Sequence, residues 1–227
     1  GFDIYSAYTS DESLEKIISY INNNNLKTQW ILETHAHADH LSAAGVLKSR
    51  LGGKVAMGCN IPLVQKAFGK IYNENKEFKR NGSQFDKLFN DGEKFQIGTL
   101  SVTVISVPGH TPACVAYHIS DALFIGDTLF MPDYGSARCD FPGGDAGSLY
   151  DSVQKIYQLP GKTRLFHCHD YRTKNRNYYK WETTVDEQKE KNIHLNSNVE
   201  RQSFIEMRTM RDKTLKTPKL LLPSIQI

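Results

Sequence analysis

Cysteine is scarce and never closely spaced. The four residues Cys59, Cys114, Cys139 and Cys168 form no CxxC pair, which excludes a zinc ribbon and a disulfide framework. Such usage suits a reducing compartment, so a cytoplasmic location is expected. No apolar run approaches a membrane span, and the stretch Gly1 to Tyr8 has no basic segment followed by an apolar one, so neither membrane insertion nor secretion is expected. An excess of one charge is missing too. The 28 basic and 25 acidic residues are well mixed and leave a net +3, which is no nucleic-acid footprint but is compatible with a pocket for an anionic small molecule. Internal repeats and low-complexity linkers are also lacking. What remains is an ordinary globular composition over 227 residues, 39% of them hydrophobic, enough for a single domain, 1–227, with a sizeable core.

Hydrophobic patterning supplies the order of elements. Thr9 and Glu12 have capping-box spacing, and Leu14, Ile17, Ile18 and Ile21 then share one helix face until Asn22 to Asn25 end it. Trp30-Ile31-Leu32 reads as a buried strand, Leu41 to Arg50 as a helix stopped by Gly52-Gly53, and Lys54 to Gly58 as the next strand. Phe68 to Asn90 shows no clear period and reads as a helix-poor excursion. Strands return with Phe95, Ile97, Val102, Val104 and Val107, then Ala113 to Ile119 and Ala122 to Ile125. Met131 to Gly147 reads as a long loop able to roof a pocket, Ser148 to Leu159 as a helix, and Thr163 to Phe166 as a strand. Trp181 to Asn192 and Val199 to Arg211 read as two further helices.

Potential metal ligands sit at the strand ends of this pattern. His35-Ala36-His37-Ala38-Asp39-His40 follows the first strand and concentrates three imidazoles and a carboxylate, a candidate mononuclear or dinuclear site. His110 falls in the turn Pro108-Gly109-His110-Thr111-Pro112, Asp127 in Gly126-Asp127-Thr128, and His169 in His167-Cys168-His169-Asp170-Tyr171.

Taken in order, HxHxDH, the Pro-Gly-His-Thr turn, Gly-Asp-Thr-Leu-Phe and a late His resemble the metallo-β-lactamase superfamily, with the match running from about Trp30 to Tyr171. The resemblance implies an α/β fold, the αββα sandwich, with a metal site at one edge of its two sheets. Only Phe2 to Tyr8 precedes the first helix, so the first sheet is expected to lack its N-terminal strands. An exposed strand edge there invites pairing, and a homo-oligomer is an expectation it raises. Gly126 to Phe130, the stretch Gly135-Ser136-Ala137-Arg138-Cys139-Asp140-Phe141 and His169-Asp170-Tyr171 look like the persulfide dioxygenase branch. Trp181 to Val185 and Leu222 to Ile225 look like its bacterial β-lactamase-hydrolase-like members.

In that branch the resemblance implies one Fe(II) per chain, held by His35, His110 and Asp127, with zinc as the alternative. His37, Asp39, His40 and His169 match positions that complete a dinuclear zinc site in hydrolytic relatives; here they are expected to orient the ligands. Two imidazoles and one carboxylate leave open positions on Fe(II), the donor set oxygen-using enzymes need. The implied reaction belongs to sulfide metabolism. Glutathione persulfide or a related low-molecular-weight persulfide is oxidised by O2 to sulfite and glutathione. Arg138 and Tyr171 match residues that bind glutathione in similar enzymes. Alternatively, Arg138 braces its loop against Asp133 or Asp140, and Tyr171 is a core tyrosine bonded to backbone. Cys139 and Cys168 are expected to be small buried residues, and His118, His167 and His194 to be structural.

The nearest rival is a dinuclear zinc glutathione thioesterase resembling glyoxalase II, a hydrolase using a metal-bound hydroxide. β-Lactam cleavage is weaker, because superfamily resemblance does not choose a substrate. A nucleic-acid-binding or scaffold role for Arg201, Arg208, Arg211, Lys213, Lys216 and Lys219 is weaker still. Glu200, Glu206 and Asp212 interleave with them, as on a solvated helix face.

Overall fold

The computed structural model describes residues 1–36, 39, 41–73 and 77–226. In chain order the elements are α1 (Glu12–Asn23), β1 (Trp30–Leu32), α2 (Ala44–Leu51), β2 (Lys54–Gly58), α3 (Ile61–Ile71), β3 (Lys87–Phe89), β4 (Lys94–Ile97) and β5 (Leu100–Ser106). There follow β6 (Val115–Ile119), β7 (Ala122–Phe124), α4 (Ala146–Ile156), β8 (Arg164–Phe166), β9 (Glu182–Thr184), α5 (Val185–Lys191), α6 (Arg201–Asp212) and α7 (Leu221–Gln226). Among the described residues no helix is long and apolar enough to cross a membrane.

Two sheets form the centre. The first is parallel, in the order β1-β2-β3, and the second runs β4-β5-β6-β7-β8-β9, antiparallel except where β7 meets β8. Alternation of side chains assigns the layers. Val102, Val104, Val115 and Tyr117 face Ala56 and Phe89 of the first sheet, with Trp30 and Phe95 completing the layer. On the opposite face Cys114, Ala116, Leu123 and Leu165 pack under Leu149, Val153 and Ile156 of α4, Val185 of α5 and Phe204 of α6. Helices thus cover the outside of the second sheet, while α2 packs on β1 and β2. This is the αββα arrangement, and the first sheet has three strands among the described residues.

Several local expectations need correction. Helix α1 starts from Asp11 without a side-chain cap, so Thr9 and Glu12 form no capping box. Leu14 and Ile18 are buried as expected, but Ile17 is half exposed. Helix α2 begins at Ala44, because Ser42 Oγ accepts from the Ala44 N–H and also bonds the Glu33 carboxylate, holding the preceding residues in a turn. The supposed excursion contains β3, which aligns parallel to β2 with Ala56 opposite Lys87 and Gly58 opposite Phe89. Three residues are too few to show a period, and pairing with β2 decides the conformation. Trp181 to Asn192 is not one helix. Its first residues pair with β8 as β9, and Thr184 then caps α5 by accepting from the Glu187 N–H at 3.2 Å. Thr184 and Glu187 are therefore the true cap pair.

Candidate metal centre

The ligand loops converge because of strand direction. Strands β5 and β7 are each antiparallel to β6, and β8 is parallel to β7, so their C-terminal ends lie along one edge. The His110 turn, Asp127 and His169 follow these three strands in turn. His35 joins them from the first sheet: the Val115 N–H donates to the Thr34 carbonyl at 2.8 Å, and the Tyr117 hydroxyl donates to the Glu33 carbonyl at 2.9 Å. Two glycines permit the approach. Gly126 has φ +57°, and a Cβ there would lie 2.8 Å from Thr34. Gly109 has φ +147°, and a Cβ would lie 2.4 Å from the Leu149 Cα in α4.

At the edge, His35, His110 and Asp127 are all buried, and their ligand atoms lie within 4.8 Å of one another. Each imidazole Nε2 is 3.8 Å from Asp127 Oδ2. That separation is too long for a hydrogen bond, but it lets each donor reach a shared ion about 2 Å away. Asp127 Oδ1 is buried without a hydrogen-bond partner among the described residues. A buried carboxylate oxygen left in that state is costly, and a cation would satisfy it. The donor set therefore fits a metal.

Surrounding groups set the donors' orientation. His110 Nδ1 donates to the Arg138 carbonyl at 2.8 Å, which leaves Nε2 with its lone pair toward Asp127. His35 Nδ1 lies 2.9 Å from Thr34 Oγ1, turning its Nε2 the same way. His169 Nε2 stands 3.2 Å from Asp39 Oδ2 and 3.6 Å from Asp127 Oδ1. The structure thus brings Asp39 and His169 to the same centre, whereas the expectation for His37 and His40 lies outside the described residues.

A cavity of about 320 Å³ opens from His110 and Asp127. Part of its wall is aromatic: Tyr171 stacks on Tyr134 at 4.8 Å and on His169 at 5.6 Å, with Phe130 edge-on at 5.4 Å. Tyr171 is half exposed and so is not a core tyrosine. The loop after Met131 contributes Tyr134, Ser136, Arg138 and Phe141 to the lining, the roofing role expected of it. Arg138 bonds both Asp140 oxygens at 2.6 Å and the Lys216 carbonyl at 2.9 Å, the loop-bracing arrangement.

The neighbouring loop is clamped by charge. Arg176 bonds Asp133 and Asp170 together, and those bonds pull the Asp170 carboxyl down to about 2. Buried His167 bridges the Leu129 carbonyl and Thr183, and burial pushes it down to about 4, a structural role as expected. Cys139 is buried as expected, but Cys168 is exposed.

Sequence reading missed the contribution of the C-terminal segment. Arg208 is fully buried, paired with Asp212 at 2.7 Å and donating to the Ser136 carbonyl, so this part of α6 is no solvated face. Phe204, Arg208 and Asp212 recur every four residues on one buried stripe, a signal visible in the sequence. Arg208, Arg211 and Lys219 all line the cavity.

Comparison with known proteins bears directly on this centre. The family model described as the Metallo-beta-lactamase superfamily matches residues 6–169. The chain belongs to this superfamily. Within it, the chain is 52% identical over 221 residues to "Glyoxylase B2" of Dictyostelium discoideum, covering 96% of this chain and 75% of that protein. It is 46% identical over 226 residues to the "Beta-lactamase hydrolase-like protein" of Xylella fastidiosa (strain Temecula1 / ATCC 700964), covering all of this chain and 52% of that protein, about half its length. With the mitochondrial persulfide dioxygenase ETHE1 of Bos taurus it shares 31% identity over 163 residues, 70% of this chain and 56% of that protein. Among solved structures, ETHE1 from Myxococcus xanthus superposes with a TM-score of 0.75 at 27% identity, covering 92% of this chain and 80% of that one. The fold of this superfamily binds a metal, in keeping with the His-His-Asp set here.

Proposed function

We propose that this chain is an iron-dependent persulfide dioxygenase that converts glutathione persulfide, O2 and water into glutathione, sulfite and two protons. The sulfane sulfur is oxidised by four electrons and O2 is reduced. The observation that carries this reading is the buried set of two imidazoles and one carboxylate, His35, His110 and Asp127, at the end of an aromatic-walled cavity. One Fe(II) held there supplies redox chemistry toward O2 with positions left for an anionic sulfur ligand. The chain's own residues do the rest. The Arg138 carbonyl keeps the His110 proton on Nδ1, Asp39 and His169 border the centre, and Tyr171, Tyr134 and Phe130 limit water on one side. Similarity to persulfide dioxygenases in sequence and in fold supports the assignment. A cytoplasmic location is part of this proposal, and the scattered cysteines, with no close pair, are compatible with a reducing compartment.

A second reading, a dinuclear zinc glutathione thioesterase, is favoured by the Asp39–His169 contact and by the name of the Dictyostelium relative. Metal analysis of protein purified without oxygen separates the two. One iron per chain together with O2 uptake on glutathione persulfide is the expected result. Two zincs per chain with hydrolysis of S-lactoylglutathione would replace the first reading by the second.

A further inference from the structure

Phe130 and Tyr134, two rings of the cavity wall, belong to a tight loop whose ends meet in the bridge between Leu129 and Ser136. Inside the loop, the Phe130 N–H donates to the Gly135 carbonyl, and the Tyr134 and Gly135 N–H groups donate to the Met131 carbonyl. Other carbonyl bonds come from outside. The Leu129 carbonyl accepts from His167 Nδ1 at 2.9 Å, Phe130 from Gln188 Nε2 at 2.9 Å, Pro132 from the Ile193 N–H at 3.0 Å, and Gly135 from Asn192 Nδ2 at 3.0 Å. Two of these donors are side chains one helical turn apart. Gln188 lies in α5 and Asn192 is its C-cap, and both are fully buried. Asn192 Nδ2 also donates to Gln188 Oε1 at 2.7 Å, while Asn192 Oδ1 accepts from the His194 and Leu195 N–H groups at 2.8 and 2.9 Å. Those backbone donors fix which way the Asn192 amide faces, and Asn192 in turn fixes Gln188.

The amide pair thus grips the wall loop near both of its ends. On the cavity side, Tyr171 packs against the two rings this loop carries and stacks in turn on His169. Because Tyr171 is half exposed, these rings rather than burial hold it in place. Ring pairs depend on centroid distance and angle, so a shift of the loop backbone passes directly into the wall. We infer that Gln188 and Asn192 are positioning residues for the aromatic wall, and that through Phe130 and Tyr134 they set how tightly the cavity holds the organic part of its ligand. The inference rests on the proposed function for the identity of that ligand, glutathione persulfide.

Equilibrium binding of S-methylglutathione to anaerobically iron-loaded protein tests this, with bound iron, urea midpoints and steady-state O2 uptake measured alongside. Gln188→Met and Asn192→Ser are each expected to raise the Kd for S-methylglutathione, and the KM for the persulfide, by about three- to tenfold, the size of misaligned aromatic contacts. Bound iron should stay unchanged and kcat within about twofold. Tyr157→Phe removes a buried bond to the Leu195 carbonyl in the same segment, outside the cavity lining, so it should lower the urea midpoint and leave the Kd unchanged. Because Gln188 acts through the wall, Gln188→Met should alter the Kd by under about twofold in a Tyr134→Ala background. Unchanged Kd in both wall variants, or an equal effect of Gln188→Met with and without the Tyr134 ring, would overturn the inference. Absence of O2 uptake by the iron-loaded wild type with this binding pattern intact would instead remove the dioxygenase reading and leave the positioning role standing.

Discussion

His110 donates its Nδ1 proton to the backbone carbonyl of Arg138 at 2.8 Å, so the residue whose side chain braces the cavity loop also sets the tautomer of a metal-facing imidazole. The link runs through main chain. Arg138→Ala should therefore leave bound metal within about threefold of wild type, whereas His110→Ala should lower it by well over tenfold, since losing a group that merely orients a ligand already costs about 10–100-fold in affinity. Metal content after dialysis against a weak chelator reads the difference. Equal loss in both variants would place the Arg138 guanidinium, not its carbonyl, in control.

The two ligand-loop glycines should not be equally tolerant. Gly109→Ala drives a Cβ to 2.4 Å from backbone of α4, which cannot move alone, while Gly126→Ala meets Thr34 at 2.8 Å. Urea denaturation is expected to show a loss of about 3 kcal/mol or more for Gly109→Ala and about 1–3 kcal/mol for Gly126→Ala, combining overpacking with a positive φ. Gly126→Ala should also weaken metal binding, because Thr34 adjoins His35.

Arg176 joins two carboxylates, and its loss strands both. Arg176→Met is expected to cost about 3 kcal/mol, the penalty for leaving the buried Asp170 carboxylate without its cation, while the partly exposed Asp133 is left to water, and Arg176→Lys less. The native Asp170 carboxyl lies near 2 against an ordinary value of 3.8. Its contribution is thus fully present above about pH 4 and lost as pH falls toward 2. In Arg176→Met that part of the acid-denaturation curve should flatten.

His194 gives a second acid limit at milder pH. Its Nδ1 accepts from the Ser136 N–H at 3.0 Å, and burial together with Arg208 and Arg211 pushes it from 6.5 to about 4. Because the unfolded chain takes up this proton first, stability should be greatest above about pH 6.5 and fall as pH drops toward 4. His194→Asn, which keeps an acceptor for Ser136 and cannot be protonated, should reduce that slope in urea midpoints measured between pH 7 and pH 4.5.

Much of this molecule is legible in one dimension. Glycine turns, strand-end ligands and the alternation of Val102 with Val104 are local features, since a turn's φ, an imidazole's donor and a strand's period belong to single residues or to their near neighbours. The metallo-β-lactamase resemblance rests on such features and implies the His35, His110 and Asp127 set, whose ligand atoms the fold brings together. The short strands β3 and β9 were not readable, because three residues carry no period and only pairing across space makes them strands. The state of each arginine was not readable either. In sequence, Arg138, Arg208 and Arg211 are three basic residues near acidic ones; only packing decides that Asp140 and Asp212 neutralise the first two and leave the third facing the cavity. The residues alone determined that the chain gathers a metal centre, because donor chemistry is intrinsic to side chains. Which charges remain available beside that centre was decided by the tertiary structure, because ion pairing depends on distances the chain acquires only when folded.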